Sequence, residues 1–287
     1  MPAFSATTPG KIILLGEHAV VYGQPAIAVP VNDVQARAVV RPEVHREPGS
    51  LRLLAPQIEL DATYADLPEG HPLRAAISSV MAELDIPHIP ACTIHITSTI
   101  PVAAGLGSSA AVTAAVICAV AGFLGQPLPL EKVSSLTHEV EKIHHGTPSG
   151  IDNAVVTYNQ PIWFEKDKPI RPLSIAQPFT LVIADSGRSA ATRETVAAVR
   201  EAYQAEREHY QDLFDNIGTL VQQANTALKA GDIQTLGLLM DKNHHLLQDM
   251  GVSSPELDRL VDQARMAAAL GAKLSGGGRG GTILALV

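Results

Sequence analysis

Gly105-Leu106-Gly107-Ser108-Ser109-Ala110-Ala111 is the stretch on which the reading of this chain turns. A strand precedes it. From Cys92 to Ile100 the residues alternate, with Cys92, Ile94, Ile96 and Ile100 on one side and Thr93, His95 and Thr97 on the other. That is the period of a half-buried strand. A helix follows it. Ala110 to Leu124 is the most apolar run of the chain, is shorter than a membrane span, and reads as a buried helix opened by Ser108-Ser109. Glycines at such a junction let backbone N–H groups come close to an anion, and the helix start adds positive potential. A serine hydroxyl there can coordinate the Mg²⁺ that accompanies a triphosphate. In isolation the same residues would serve as a tight turn and an N-cap. The strand before and the helix after favour phosphate binding. No Lys follows the last glycine, so the pattern is not the Walker loop.

Working outward, Lys11 to Leu15 is a short apolar run, and Ala26 to Val40 and Leu51 to Leu60 read as strands. Pro72 to Leu84 reads as an amphipathic helix, and Pro127-Leu128-Pro129 separates the apolar helix from another over Leu130 to His145. Gly146-Thr147-Pro148-Ser149-Gly150 ends that helix. Pro161 to Pro178 reads as connecting hairpins, and the domain boundary falls there, dividing the chain into residues 1–172 and 173–287. Beyond it are expected a buried strand over Thr180 to Asp185, a long charged helix over Thr192 to Asp215, and helices over Gly218 to Ala230 and Ile233 to Met250. A last helix begins at Pro255 and ends near Gly271, and Thr282 to Val287 is a strand. The chain shows no repeat period.

Three further segments carry candidate chemistry. Lys273-Leu274-Ser275-Gly276-Gly277-Gly278-Arg279-Gly280-Gly281 is glycine-rich yet tethered by the final strand. Close backbone approach to a ligand explains it better than a loose tail does. Arg279 faces an anionic group or is solvated. Glu141 is followed by His144-His145-Gly146-Thr147-Pro148-Ser149-Gly150-Ile151-Asp152-Asn153. Phosphoryl transfer to an alcohol wants a carboxylate near the hydroxyl and a cation near the moving group. Glu141 facing out from its helix, and Asp152 placed by the turn, are the candidate carboxylates; as ordinary residues they would be a surface charge and a cap. His144-His145 and His244-His245 point about 100° apart within each pair, so they are poor joint metal ligands and read as packing or polar contacts. Pro9 to Gly23 contains Lys11, Glu17 and His18 between glycines. Lys11 alone would read as a solvated strand residue; the three together are able to line a polar pocket.

The composition is that of a globular chain: 287 residues, 46% hydrophobic and 17% charged, with net charge -8. Acidic residues outnumber basic ones, which argues against sequence-independent nucleic-acid binding and makes any anionic substrate depend on a local cationic pocket. Cys92 and Cys118 read as buried free thiols, which suggests a reducing compartment. The N-terminal residues lack the pattern of a secretory signal, and no membrane-spanning run is expected.

Together these segments resemble the galacto-, homoserine, mevalonate and phosphomevalonate (GHMP) kinase superfamily, whose three motifs occur here in order across nearly the entire chain. Pro9 to Gly23 is most similar to the mevalonate branch. A galactokinase would carry Asp shortly after Gly16-Glu17-His18, where this chain has Ala19-Val20-Val21-Tyr22. The resemblance implies an α+β, two-domain fold: an N-terminal βαβ-containing sheet domain and a C-terminal ferredoxin-like domain, with ATP and acceptor in a cleft between them. It implies transfer of the γ-phosphoryl of ATP to the primary hydroxyl of mevalonate; phosphomevalonate, or the 3-hydroxyl of mevalonate, are the alternatives. Asp152 would be the catalytic carboxylate, and Lys11 would lower the hydroxyl's pKa or neutralise developing charge. Pro101, Ala103, Ala104, Gly105, Leu106, Gly107, Ser108 and Ser109 would hold the nucleotide, and Ser109 and Glu141 the Mg²⁺. Lys11, Glu17, His18, Asp152, Thr192 and Gly277 would line the acceptor site. A cytoplasmic homodimer without nucleic-acid or membrane partners is implied as well. The chain departs from the family in Arg279, where glycine is common, in Gly276-Gly277, where Gly-Ala is usual, and in being short. A nucleotide sensor on the same scaffold would be expected to have lost Lys11 or Asp152; both are here.

Overall fold

The apolar run after Ser109 is too uniform to be amphipathic, and a helix apolar all round has to be covered on every side. A computed structural model describing residues 2–47, 49–102, 104–145, 148–189 and 192–287 shows how; the side chains of residues 144 and 145 are not described. Strand β1 (Phe4–Leu15) leads through a 3₁₀ turn to β2 (Ala26–Pro42), β3 (Leu51–Ala55) and β4 (Leu60–Thr63). Helix α1 (Pro72–Glu83), β5 (Cys92–Ser98), α2 (Ser108–Phe123), α3 (Leu130–His145) and α4 (Ile151–Tyr158) follow. Then come β6 (Ile162–Phe164), β7 (Arg171–Pro172), β8 (Leu181–Asp185), α5 (Thr192–Ala205), α6 (Arg207–Ala230), α7 (Ile233–Asp249), α8 (Pro255–Met266), β9 (Gly271–Ser275) and β10 (Thr282–Leu286).

Packing divides the chain into two units that do not follow a single cut. The first comprises residues 1–11, 30–101 and 107–159; the second comprises 12–29, 102–106 and 160–287. In the first unit, β3 pairs parallel with β5 across the α1 crossover, and β2 pairs antiparallel with β5 from Ala36↔Ser98 to Pro42↔Cys92. Cys92, Ile94 and Ile96 are the buried side of β5, as their alternation requires. α2 packs against α1, α3, α4 and β5, which covers its apolar surface. Leu51 to Leu60 is a hairpin rather than one strand: Pro56–Ile58 forms a 3₁₀ turn, because Pro56 cannot donate to a ladder.

In the second unit, β6 pairs with Ala26–Ala28 of β2, and β8-β10-β9 form an antiparallel sheet. The order strand, helices, strand, strand is the β-α-β-β portion of a ferredoxin-like pattern. α7 lies close on β9 because neither Gly237 nor Gly271 has a Cβ: one added to Gly271 would stand 2.0 Å from the Gly237 carbonyl oxygen. The strand expected to be buried over Thr180 to Asp185 is a partly exposed edge strand, with Val182 exposed, since among the described residues β10 alone pairs with it. The helix expected over Thr192 to Asp215 breaks at Glu206, whose φ of -128° is non-helical, and its second half merges with the next helix into α6.

Candidate functional site

Lys11 sits in β1 with its aliphatic stem laid over the backbone of Gly107, the residue that turns the chain into α2. A Cβ added to Gly107 would lie 2.7 Å from Lys11 Cγ, and the φ of 71° is itself left-handed. This N-cap makes no side-chain bond, and Ser108 and Ser109 are the first helical residues, opening the helix as expected. Lys11 Nζ meets Asp152 Oδ1 at 3.1 Å, with the lysine side chain 4% exposed and the aspartate 36%. The pair thus keeps the carboxylate reachable while the cation is buried behind it. Asp152 is in the first turn of α4, where a carboxylate is favoured by the helix dipole. The sequence reading had a turn here and no helix. Asn153, one residue on, donates from Nδ2 to the Ser134 carbonyl and hydroxyl (3.1 and 2.9 Å), which anchors α4 on α3.

Ser109 donates its hydroxyl to Glu141 Oε1 at 2.6 Å. Glu141 is 3% exposed, so it does not face out from its helix as expected; α3 turns it inward toward the start of α2. Two oxygens are thereby fixed side by side in the first unit. This set suits a hard cation such as Mg²⁺, which takes one or two protein oxygens and fills the rest of its shell with water and phosphate. Among the described residues no group of three or more His, Cys, Asp or Glu is placed to hold a metal. Of the other expected nucleotide residues, Ala104 and Leu106 are buried, Pro101 is exposed, and Ala103 lies outside the described residues, as do the Gly146-Thr147 turn and the His144-His145 side chains.

In the second unit the two glycine stretches meet. A Cβ on Gly276 would stand 3.7 Å from the Gly105 carbonyl oxygen, and one on Gly105 would stand 3.7 Å from that of Ser275. Ser275 Oγ bonds both the carbonyl and the N–H of Ile13 (3.0 and 3.2 Å), closing the end of β9 onto β1. Thr192 packs on Gly277, where a Cβ would come within 2.9 Å of its hydroxyl oxygen. His18 Nε2 lies 3.0 Å from the Gly277 carbonyl. A carbonyl only accepts, so Nε2 carries the proton and Nδ1 is the basic nitrogen. Three acceptor-side residues expected from sequence, His18, Thr192 and Gly277, are therefore one cluster. Burial holds the His18 imidazole down to about 4, against the opposing bond to Gly277 and helped by the charges of Arg279 and Lys273. His18 is also backbone-strained, at φ 60° and ψ -53°.

Glu17 points elsewhere. Its carboxylate receives the ammonium of Lys273 through Oε1 and the Asn243 amide through Oε2 (3.2 Å), and it is 1% exposed. Lys273 and Asn243 were not among the residues singled out. Lys273 sits in a strand whose five residues are all buried, and a charge inside such a run demands a partner; that was the available signal. His244 is buried and accepts from the Leu274 N–H at Nδ1 (3.3 Å), a polar contact as expected. Arg279 donates Nε to the Gly251 carbonyl (3.2 Å). A surface hollow of about 460 Å³ at the end of α1, lined by Met81, Ala82, Asp85, Ile86 and Pro87, contains none of these residues.

Comparison with known proteins gives matches to two family models: GHMP kinases N terminal domain over residues 72–160, and GHMP kinases C terminal over residues 224–287. A mevalonate kinase of Thermococcus gammatolerans is 38% identical, with 98% of this chain and 88% of that protein covered. Among solved structures, the Methanococcus jannaschii mevalonate kinase superposes with TM-score 0.85 at 28% identity, covering 99% of this chain and 90% of that one. The L. major mevalonate kinase in complex with R-mevalonate superposes with TM-score 0.82 at 31% identity, covering 99% and 86%.

Proposed function

The chain belongs to the GHMP kinase family, and on that premise we propose that it is an ATP-dependent mevalonate kinase, transferring the γ-phosphoryl of ATP to the primary hydroxyl of mevalonate to give 5-phosphomevalonate. The observation that carries the chemistry is the Lys11–Asp152 contact at 3.1 Å, held by Gly107 at the start of α2. Asp152 accepts the hydrogen bond of the attacking hydroxyl and takes its proton as the new O–P bond forms and the bond from the γ-phosphorus to the bridging oxygen breaks, releasing ADP. Lys11 fixes the carboxylate's direction and offers positive charge beside the developing negative oxygen. The glycine-rich backbone from Gly105 to Ser108 is assigned to the phosphates. His18, Thr192 and Gly277 are assigned to the acceptor, together with Glu17, which is held by Lys273 and Asn243. Ser109 and Glu141 would supply oxygens to Mg²⁺, which when bound would neutralise charge on the phosphates.

The nucleotide-binding part is assigned to residues 1–172, and a homodimer is proposed from the family resemblance. A cytoplasmic location is proposed from the family resemblance; both cysteines are free, and no helix among the described residues is long and apolar enough to cross a membrane. The deciding experiment is ADP release from ATP and Mg²⁺ with mevalonate, phosphomevalonate, homoserine and galactose in parallel. Mevalonate should give by far the highest kcat/KM. Turnover of galactose or homoserine in its place would overturn the acceptor.

A further inference from the structure

Lys273 has no part in the proposed phosphoryl transfer, yet it is a fully buried ammonium, and a charge is retained in such a place only with partners that satisfy it. Its Nζ donates to Glu17 Oε1 and to the carbonyl of Leu274. Glu17 is covalently next to His18, whose Nε2–H donates to Gly277, four residues beyond Lys273. A loop is thereby closed: Lys273 to Glu17 through an ion pair, Glu17 to His18 through one peptide bond, His18 to Gly277 through a hydrogen bond, and Gly277 back to Lys273 along the chain. Asn243 of α7 adds a second bond to Glu17. His18 stands at a φ/ψ that an L-residue adopts only when its surroundings force it, and this closed ring supplies the force.

We infer that Lys273 is a positioning residue: its ion pair with Glu17 fixes the strained His18 turn and, through His18, the Gly277 carbonyl and the glycine loop on which Thr192 rests. This rests on the mevalonate kinase reading for its catalytic consequence but not for its geometry. Lys273→Met leaves the Glu17 carboxylate buried without its cation, so the turn reorganises. Glu17→Gln/Lys273→Met removes both charges and lets the turn return.

The test uses the full chain in three forms: wild type, Lys273→Met, and the double variant. One arm measures ADP release with mevalonate well below each protein's melting midpoint. The other records ¹⁵N-histidine NMR without substrate, with His18 assigned through His18→Gln. Lys273→Met should lose about 100-fold in kcat/KM for mevalonate and lose the neutral Nε2–H pattern of His18. The double variant should regain at least about tenfold and the His18 pattern. Lys273→Met with an unchanged His18 signal, or with activity within twofold of wild type, would overturn the inference. So would a folded double variant as impaired as Lys273→Met, which would mean that Lys273 meets the acceptor itself. A wild type that releases no ADP with mevalonate would refute the kinase reading, while the NMR arm still decides the ring.

Discussion

His18 and His244 are both held uncharged, each for want of water. Burial lowers each to about 4; Asp258 pulls His244 upward and the bond to Gly277 pulls His18 upward, and neither suffices. Both folded values lie below the ordinary 6.5, so between these limits the unfolded chain binds protons that the folded chain refuses. Stability is at its full value above about 6.5 and is lost as pH falls toward about 4, by up to about 3 kcal/mol for each histidine. His244→Gln removes one of the two and can still accept from the Leu274 N–H. Its urea midpoint should therefore fall less than that of the wild type between pH 6.5 and 4.5; equal falls would show that His244 is not the group responsible. At Asp152 the expectation concerns rate alone. Asp152→Asn keeps the size and the place at the start of α4 but not the proton acceptor, so kcat should fall by about 10²–10⁴-fold with the melting midpoint within a few degrees. Near-normal kcat would remove Asp152 from its role.

α2 was legible from its composition, and β5 from its alternation, because each pattern spans more than one period of its structure. α4 was not: eight residues after a Pro-Ser-Gly turn give barely two turns of period, and Asp152 read as a carboxylate placed by the turn alone. Glu141 was assigned to the right helix and to the wrong side of it, since the partner that draws it inward, Ser109, is thirty-two residues away. The junction of β5 and α2 allows an element-level test of Gly107. Gly107→Ala forces a left-handed alanine and drives a methyl into the Lys11 stem. Gly125→Ala, just past the other end of the same helix, meets the same kind of backbone strain at φ 78° with nothing within 4 Å. Each should lose about 1–2 kcal/mol of stability. Only Gly107→Ala should also lose about tenfold or more in kcat, by displacing Lys11 from Asp152. Equal kcat in the two variants would mean that the stem contact is incidental.

Across the whole molecule, what the sequence hid is long-range. Ile13 with Ser275, His18 with Gly277 and Glu17 with Lys273 are each separated by more than 250 residues, so no local period reports them. They also explain why residues 12–29 pack with the C-terminal part of the chain. The same inventory of contacts bears on the acceptor. With a net charge of -8, a doubly anionic phosphate on the acceptor needs cations not already engaged. Three arginines, Arg188, Arg193 and Arg279, are the cations to account for. Arg188 is paired with Glu256 at 2.8 Å, and Arg279 is bonded to the Gly251 carbonyl, while Arg193 is exposed in the first turn of α5. Lys273 is consumed by Glu17. A singly charged carboxylate makes a far smaller demand than a phosphate added to it. The kcat/KM for mevalonate should therefore exceed that for phosphomevalonate by about 100-fold or more, a difference of about 2.7 kcal/mol in transition-state stabilisation. Glu256→Gln, which releases Arg188, should narrow the ratio if that arginine reaches the acceptor. A wild-type ratio near one would show that the cations are not committed as their contacts indicate, and that the acceptor is not selected by charge.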